Sequence, residues 1–209
     1  LNRMFDYLNR YGIGQATNID LQGEVTPYLR PKDQWYPIDL ATSSFGQGIS
    51  VTPIELLSAF ASLANGGKRM EPHIVSSVET PEGQTITIPP KVVNQPISEE
   101  TSKIITEILV NAVNNGEAKF ARLPGYRIAG KTGTAQIPVA GHYDPTKTIA
   151  SFIGYAPAED PKFVMLVIYD KPTTSIYGAE TAAPTFFKIA QRALTYFNIA
   201  PTEATDTKN

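Results

Sequence analysis

Cysteine is absent from the 209 residues, and only two histidines and one tryptophan are present. Without cysteine the chain has no disulfide, no thiolate zinc site and no cysteine nucleophile. A histidine-based metal site would need both His73 and His142 together with carboxylates, so the composition disfavours a metal centre.

Neither sign of charge predominates, because the formal net charge is −2 and 18% of the residues are charged. Nucleic-acid binding relies on clustered Lys and Arg, so this balance argues against a nucleic-acid partner. Long apolar runs are also missing: the longest, from Phe163 to Tyr169, has the length of a strand and falls short of the roughly 18 residues of a membrane helix. A hydrophobic share of 42% is typical of a globular domain.

Four helices are predicted where apolar residues recur at intervals of three and four. The first opens almost at the start of the chain, without a capping residue, which is typical of a truncated sequence, and Gly12 ends it. Thr52 with Glu55 forms a capping box for the second, and Ser98 caps the third. The predicted buried faces are Leu1, Met4, Leu8 and Tyr11; Leu56, Leu57, Phe60, Leu63 and Ala64; Ile104, Ile105, Ile108, Leu109, Ala112 and Val113; and, in a last helix from Pro184, Phe187, Ala190, Leu194 and Phe197.

The strands are predicted in two groups. A hairpin joins residues 73–79 and 84–88 through a Thr-Pro-Glu-Gly turn. Three longer strands cover about 126–136, 148–155 and 162–169, and the last two should be antiparallel because the turn between them is too short for a helical crossover. This order of elements predicts an α+β layer architecture, and the polar residues 201–209 are predicted to be a disordered tail.

One predicted strand, Gly130-Lys131-Thr132-Gly133-Thr134-Ala135, combines the features of a binding site. Strand alternation puts the hydroxyls of Thr132 and Thr134 on one face and Lys131 on the other. Gly133 has no side chain, so a ligand or another backbone can approach the strand closely. Two hydroxyls beside such a gap, with a cation beneath, suit a carboxylate ligand.

The same six residues also fit a purely structural interpretation, namely an edge strand with a glycine bulge and a lysine that extends its charge into solvent. The hexapeptide alone leaves both interpretations open. Asp144 and Lys147, in the predicted loop before the next strand, are interpreted as solvated charges, and His142-Tyr143 as packing residues bordering the cleft. Tyr177-Gly178 is interpreted as a short segment before the last helix that could line the rim of the site.

Lys-Thr-Gly-Thr resembles the third motif of the serine penicillin-recognising enzymes, which follows an active-site Ser-x-x-Lys and a Ser-x-Asn. Further segments resemble class B penicillin-binding proteins of the division and elongation type, in the expected order from about Leu1 to Pro201. These segments are residues 44–53, 65–67, 72–73, 150–157 and 182–186. The resemblance implies that residues 1–200 are the C-terminal portion of a transpeptidase domain. Its fold would be the α+β penicillin-binding and serine β-lactamase-like fold, an antiparallel sheet flanked by helices.

The resemblance also implies roles for individual residues. Lys131 and Thr134 would be catalytic, with the Thr134 amide as the second oxyanion-hole donor, worth about 3 kcal/mol to acyl transfer. The hydroxyls of Thr132 and Thr134, beside Gly133, would hold the terminal carboxylate of a D-Ala-D-Ala stem peptide or of a β-lactam. Lys131 would support that carboxylate from beneath and hydrogen-bond the serine of the Ser-x-Asn motif, and Gln136 would line the acceptor side.

The chain departs from the family in lacking the nucleophile. No lysine has a serine three residues before it, and no asparagine has a serine two residues before it. The nearest approaches use threonine, at Thr185 with Lys188 and at Thr205 with Lys208. A covalent acyl-enzyme needs a nucleophile paired with a base, so we expect this chain alone to be inactive and both missing motifs to lie N-terminal to Leu1.

The intact enzyme implied by the resemblance is a peptidoglycan D,D-transpeptidase that cross-links stem peptides without a metal or organic cofactor. It would act on the extracytoplasmic face of the bacterial membrane, anchored by an upstream helix. Its expected partners are stem peptides and β-lactams, the missing half of the domain and proteins of the division or elongation machinery, with a slight preference for division. Two alternatives stay open: a penicillin-sensing receptor domain and a catalytically inactive scaffold of the division machinery.

Overall fold

The computed structural model describes residues 1–139 and 141–202. Internal contacts divide the chain into two compact units, Leu1–Thr101 and the residues from Ser102 onward. No helix in the described part of the chain is long and apolar enough to cross a membrane. Most of the predicted tail, residues 203–209, lies outside the described residues.

The first unit consists of short elements around three helices. They are α1 (Asn2–Tyr11), α2 (Pro37–Ser43), α3 (Pro53–Ala64), β1 (Arg69–Met70), β2 (Ser77–Glu79), β3 (Thr85–Thr87) and β4 (Val92–Asn94), with a 3₁₀ turn at Lys32–Gln34. Strands β1 and β4 pair antiparallel, and so do β2 and β3. The β2–β3 pair confirms the predicted hairpin, with strands shorter than the predicted ranges.

Two predicted helix caps in this unit, those of α1 and α3, are confirmed. Gly12 ends α1 in the left-handed conformation, with φ 79° and ψ 21°. Thr52 and Glu55 form the capping box of α3, in which the Thr52 hydroxyl accepts from the Glu55 amide at 3.2 Å. The Glu55 carboxylate, 2% exposed, also accepts a hydrogen bond from the Gly14 amide at 2.7 Å, so it ties α3 to the loop after α1.

The predicted buried face of α3 is wrong in detail. The residues that α3 buries are Glu55, Ser58, Ala59 and Ser62, whereas Leu56, Leu57, Phe60, Leu63 and Ala64 are half-buried. Hydroxyls can occupy the buried face because each bonds a carbonyl: Ser58 donates to Met70 O and Ser62 to Ala59 O. Hydrophobic spacing alone does not reveal such bonds.

Two carboxylates fasten the loops of the first unit. Asp20 accepts hydrogen bonds from the amides of Ile74 and Val75 at 2.8 and 2.9 Å, and these bonds hold its carboxyl pKa below the ordinary value of 3.8. Glu24 accepts from the hydroxyl and the amide of Thr17, both at 2.6 Å, and its pKa is lowered for the same reason.

The second unit is an antiparallel sheet with two helices. Helix α4 (Glu99–Asn115) begins at the end of the first unit; β5 (Ala129–Val139), β6 (His142–Ala156), β7 (Phe163–Asp170) and α5 (Ala182–Tyr196) follow, with a 3₁₀ turn at Lys119–Ala121. The strand order is β5-β6-β7, and both pairings are antiparallel, as predicted. Strand β6 is longer than predicted, because Asp144 and Lys147 belong to it instead of to a loop.

Aromatic rings form the core of this unit. Phe152 of β6 lies 4.6 Å from the ring centre of Phe186 and 5.2 Å from that of Phe187, and all three are at most 2% exposed. Ala190 and Leu194 are also buried, as predicted for the last helix. Phe197 is a correction: it follows the last residue of α5 and is 48% exposed.

The predicted buried face of α4 is confirmed at Val113 and wrong at Ile104 and Ile108. Ile104 and Ile108 are 57% and 60% exposed, whereas the buried residues are Ser102, Thr106, Val110 and Val113. Thr106 is buried because its hydroxyl donates to the Ser102 carbonyl at 2.9 Å and lies 2.6 Å from the hydroxyl of Tyr155, which is fully buried. The Ser98 cap is confirmed, since its hydroxyl accepts from the Thr101 amide at 3.1 Å.

Candidate functional site

Strand β5 carries the predicted site residues and has a free edge. Among the described residues it pairs only with β6, so every second residue directs its N–H and C=O away from the sheet. Thr132 lies opposite Phe152, and Thr134 lies opposite Ala150. Residues directly opposite each other share a face, so both hydroxyls lie on the face where Phe152 packs against α5. The predicted common face of the two threonines is therefore confirmed.

Lys131 starts on the opposite face and reaches round the strand. Its ammonium donates to the Thr132 carbonyl at 3.0 Å and to the Thr132 hydroxyl at 3.2 Å. The side chain is exposed, and none of the ion pairs in the described part of the chain involves it. Its positive charge is therefore available to an anion that approaches the Thr132 hydroxyl.

Gly133 permits the close approach that its sequence position predicts. A Cβ at Gly133 would lie 2.5 Å from the hydroxyl oxygen of Ser151 on β6. On the threonine face, the backbone of Gly178 lies against Gly133, and the Gly178 amide donates to the Thr134 hydroxyl at 3.0 Å. The space beside the missing side chain of Gly133 is thus taken by the Ser151 side chain of the neighbouring strand.

Gln136 lies half-buried at the end of the regular part of β5. It is opposite Thr148, and the register shifts between Gln136 and Ile137. By alternation Gln136 shares the face of Thr132 and Thr134. All the predicted site residues therefore lie within six consecutive positions of one strand, upstream of the irregularity.

Beyond this irregularity, β5 and β6 continue as a two-stranded ribbon that carries Asp144 and Lys147. Asp144 accepts from the hydroxyl and amide of Thr146, at 2.7 and 2.8 Å, and these bonds lower the pKa of its carboxyl. Lys147 lies 3.4 Å from the same carboxylate. Asp144 is thus already bonded within its own strand, and His142 and Tyr143 are exposed. These contacts agree with interpreting Asp144 and Lys147 as non-catalytic charges, whereas the exposure of His142 and Tyr143 gives no support to a packing role.

A cavity of about 230 Å³ opens beside Lys131. Its lining comes from the end of α4, the turn after α4, the start of β5 and one residue of β6. The lining residues are Ala112, Gly116, Glu117, Ala118, Gly130, Lys131, Thr132 and Phe152. The site therefore offers a cation and a hydroxyl next to open space on one side, and a second hydroxyl two residues further along.

The nearest approach to a nucleophile motif within the described residues lies in the core helix. Thr185 and Lys188 belong to α5, and the two residues between them, Phe186 and Phe187, are buried in the aromatic cluster. The Thr185 hydroxyl is 3.0 Å from that of Tyr169, and Lys188 is exposed. Nothing in this geometry pairs a nucleophile with a base. The other approach, Thr205 with Lys208, lies outside the described residues.

Comparison with known families gives a match over most of the chain. Residues 1–191 match the family described as penicillin binding protein transpeptidase domain. Stage V sporulation protein D of Bacillus subtilis is 41% identical over 202 residues, which are 95% of this chain and 31% of that protein. Penicillin-binding protein PbpB of Mycolicibacterium smegmatis is 34% identical over 94% of this chain and 32% of its own length. The chain thus spans about a third of the length of these curated relatives.

Solved structures show the same fold. Penicillin binding protein 3 from Mycobacterium tuberculosis, complexed with ampicillin, superposes with a TM-score of 0.90 at 31% identity, over 98% of this chain and 48% of that one. The apo transpeptidase domain of penicillin-binding protein 3 from Burkholderia pseudomallei gives a TM-score of 0.84 at 33% identity, over 97% of this chain and 60% of that one. The predicted α+β fold is confirmed by these neighbours.

Proposed function

The chain belongs to the penicillin-binding protein transpeptidase domain family, and we propose that it forms the carboxylate-binding half of a peptidoglycan D,D-transpeptidase site. The reaction is serine acyl transfer that cross-links stem peptides, with D-Ala as the leaving group and an amine of a second stem peptide as the acceptor. A β-lactam would acylate the same serine. Because the chain spans only part of its relatives, the serine and its base are assigned to sequence outside residues 1–209.

The observation that carries this proposal is the group of donors on β5. Two hydroxyls lie on one face, at Thr132 and Thr134, and an ammonium free of ion pairs in the described residues reaches the first of them at 3.2 Å. Hydrogen bonds to a charged group are worth about 1.5–3 kcal/mol, so the three donors together suit the carboxylate of a D-Ala terminus or a β-lactam.

The strand also suits acyl transfer because of its free edge. Outward-directed amides on such an edge can stabilise an oxyanion, and we assign this role to the Thr134 amide, as expected from the resemblance. Gln136, on the same face and two residues further on, is assigned to the acceptor side. Peptide substrates can pair with an open strand edge through main-chain hydrogen bonds, which fits an extended stem peptide.

Intact-mass spectrometry after incubation with a β-lactam tests the proposal. The chain alone should gain no adduct, whereas the chain expressed with its upstream coding sequence should gain one, and peptide mapping should locate it on a serine before Leu1. An adduct on any residue of the chain itself would refute the assignment. If the extended protein gains none, the inactive scaffold is the better interpretation.

A matched pair of lysine variants tests the assigned role of the cation. Lys131→Met in the extended protein should slow acylation roughly tenfold or more, since a charged hydrogen bond to the ligand is lost. Lys188→Met, which removes an exposed charge on α5, should leave the rate unchanged. Equal rates for both variants would remove Lys131 from the site. Rapid acylation by β-lactams without turnover of any stem-peptide substrate would instead favour the penicillin-sensing receptor.

A further inference from the structure

The segment between β7 and α5 is fastened to the sheet beside the proposed site. The Thr148 hydroxyl, on β6, donates to the carbonyl of Ile176 at 2.6 Å, and the Lys171 amide donates to the carbonyl of Thr148 at 2.9 Å. Thr148 is 1% exposed, so this attachment is protected from water. The segment therefore holds its next residues at a fixed position over β5.

Gly178 is the residue of this segment that contacts β5. Its carbonyl accepts from the Ala183 amide at 2.9 Å, in the approach to α5, and its amide donates to the Thr134 hydroxyl at 3.0 Å. A Cβ on Gly178 would lie 2.5 Å from the Ser151 carbonyl oxygen and closer still to that of Gly133. Both oxygens belong to paired strands that cannot easily move, so only glycine brings its amide this near to Thr134.

The amide determines what the Thr134 hydroxyl can do. A hydroxyl has one proton to donate and lone pairs that accept. The Gly178 amide occupies an acceptor position, so the proton of Thr134 points elsewhere, and an accepted hydrogen bond polarises the O–H into a better donor. Thr134 is exposed, which leaves this proton accessible to a ligand. Lys131 does the same for Thr132, whose hydroxyl accepts from the ammonium.

We propose that Gly178 is a positioning residue, whose amide orients the Thr134 hydroxyl as a donor to the substrate carboxylate and so favours acyl donors that carry a free carboxylate. This inference rests on the proposed function. It assigns to the segment before α5 a part in substrate preference, in addition to its part in packing.

The test compares a penicillin with its methyl ester as acylating agents of the protein expressed with its upstream coding sequence. Gly178→Ala and Thr134→Val should each lower the acylation rate by the free acid roughly tenfold and change the rate by the ester little, because only the acid uses the donor. The double variant should be no slower than Thr134→Val alone, since both changes remove the same donor. Thr134→Ser should keep the preference for the acid, and Thr173→Val, at an exposed threonine, should behave as the unmutated protein.

A second variant covers the case in which Gly178→Ala does not fold. Replacing the residue at 178 with glycolic acid turns its amide into an ester, which removes the N–H and adds no side chain. This variant should lose the acid preference to the same extent.

Three results are decisive against the inference. If Gly178→Ala slows acylation by the acid and by the ester equally, Gly178 has only a structural role. If the acylation rate of the double variant falls by the product of the two single effects, Gly178 acts independently of Thr134. An unmutated protein that neither compound acylates would overturn the proposed function itself, and the inference with it, a result visible before any variant is made.

Discussion

The glycine that faces Gly130 across the β5–β6 pair, Gly154, gives the sharpest test of how the core beneath the site is packed. A Cβ at Gly154 would lie 2.7 Å from the Ala129 carbonyl oxygen, 2.9 Å from Cζ of Phe186 and 3.2 Å from Cε1 of Phe152. Two of these separations are shorter than real Cβ contacts, and the ring of Phe186 is held between two other phenylalanines. Gly154→Ala should therefore lower the free energy of unfolding by about 2–3 kcal/mol, the upper part of the range for overpacked cores.

A compensating change at Phe186 isolates the clash with its ring. Phe186→Leu alone should cost about 1–2 kcal/mol, less than the 3–5 kcal/mol of a Phe→Ala change, because most of the volume is kept. Leucine has no atom at the Cζ position. The free energy of unfolding lost in the double variant should therefore be about 1 kcal/mol smaller than the sum of the losses in the two single variants. The relief is partial, since the contact with the Ala129 carbonyl remains.

Urea denaturation of the protein, followed by circular dichroism, measures these losses. Leu194→Val is the matched control: Leu194 is fully buried in the same cluster but is not among the atoms nearest to a Cβ at Gly154. Its loss should add to that of Gly154→Ala within about 0.5 kcal/mol. If Phe186→Leu adds to Gly154→Ala as simply as the control does, the ring is not the atom group that requires glycine here.

Three further predictions concern stability. Tyr155→Phe should lower the free energy of unfolding by about 1 kcal/mol, because the buried bond to Thr106 is lost, and thermal melting checks it. Glu55→Gln should cost about 2 kcal/mol in urea titration, since a charged acceptor of several N–H and O–H donors is removed. For Asp20 the folded pKa lies below 3.8, so its stabilising effect is complete above that pH and is lost as the pH falls through the folded value. Asp20→Asn should thus lower the melting temperature above pH 3.8, with a difference that shrinks in more acid solution; a constant difference would contradict the assignment.

Local chemistry made the helix ends and the sheet predictable. Gly12 ends α1, Thr52 with Glu55 begins α3, and the three long strands overlap their predicted ranges, although β6 begins at His142 instead of near Thr148. Caps and turns depend on neighbouring residues in the sequence, so a short window contains their cause. The antiparallel order followed from the short connection between β6 and β7.

Burial was harder to predict because polar residues can enter a core when they find partners. Thr106 is buried through a bond to Tyr155, 49 positions away in the sequence, and α4 turns that face inward while Ile104 and Ile108 stay exposed. The spacing of hydrophobic residues in the sequence does not reveal a hydrogen bond between residues so far apart. The same limit applies to the site: Thr132 and Thr134 were predictable from strand alternation, but the contact of Gly178 with Thr134 spans 44 positions and arises from the fold.

The strand that carries the site has no glycine bulge, because its register with β6 is regular from Ala129 to Gln136. Two of its glycines have packing roles instead. Gly130 leaves room for Phe152, since a Cβ there would lie 2.7 Å from its ring, and Gly133 leaves room for the hydroxyl of Ser151, from which a Cβ would lie 2.5 Å. The first glycine lets the strand pack on the aromatic core, and the second lets it pack on the Ser151 side chain of β6. Because Lys131 and Thr132 lie between these two packed positions, neither can shift along the strand without disturbing a contact. The two glycines thus supply the rigidity that a carboxylate site requires.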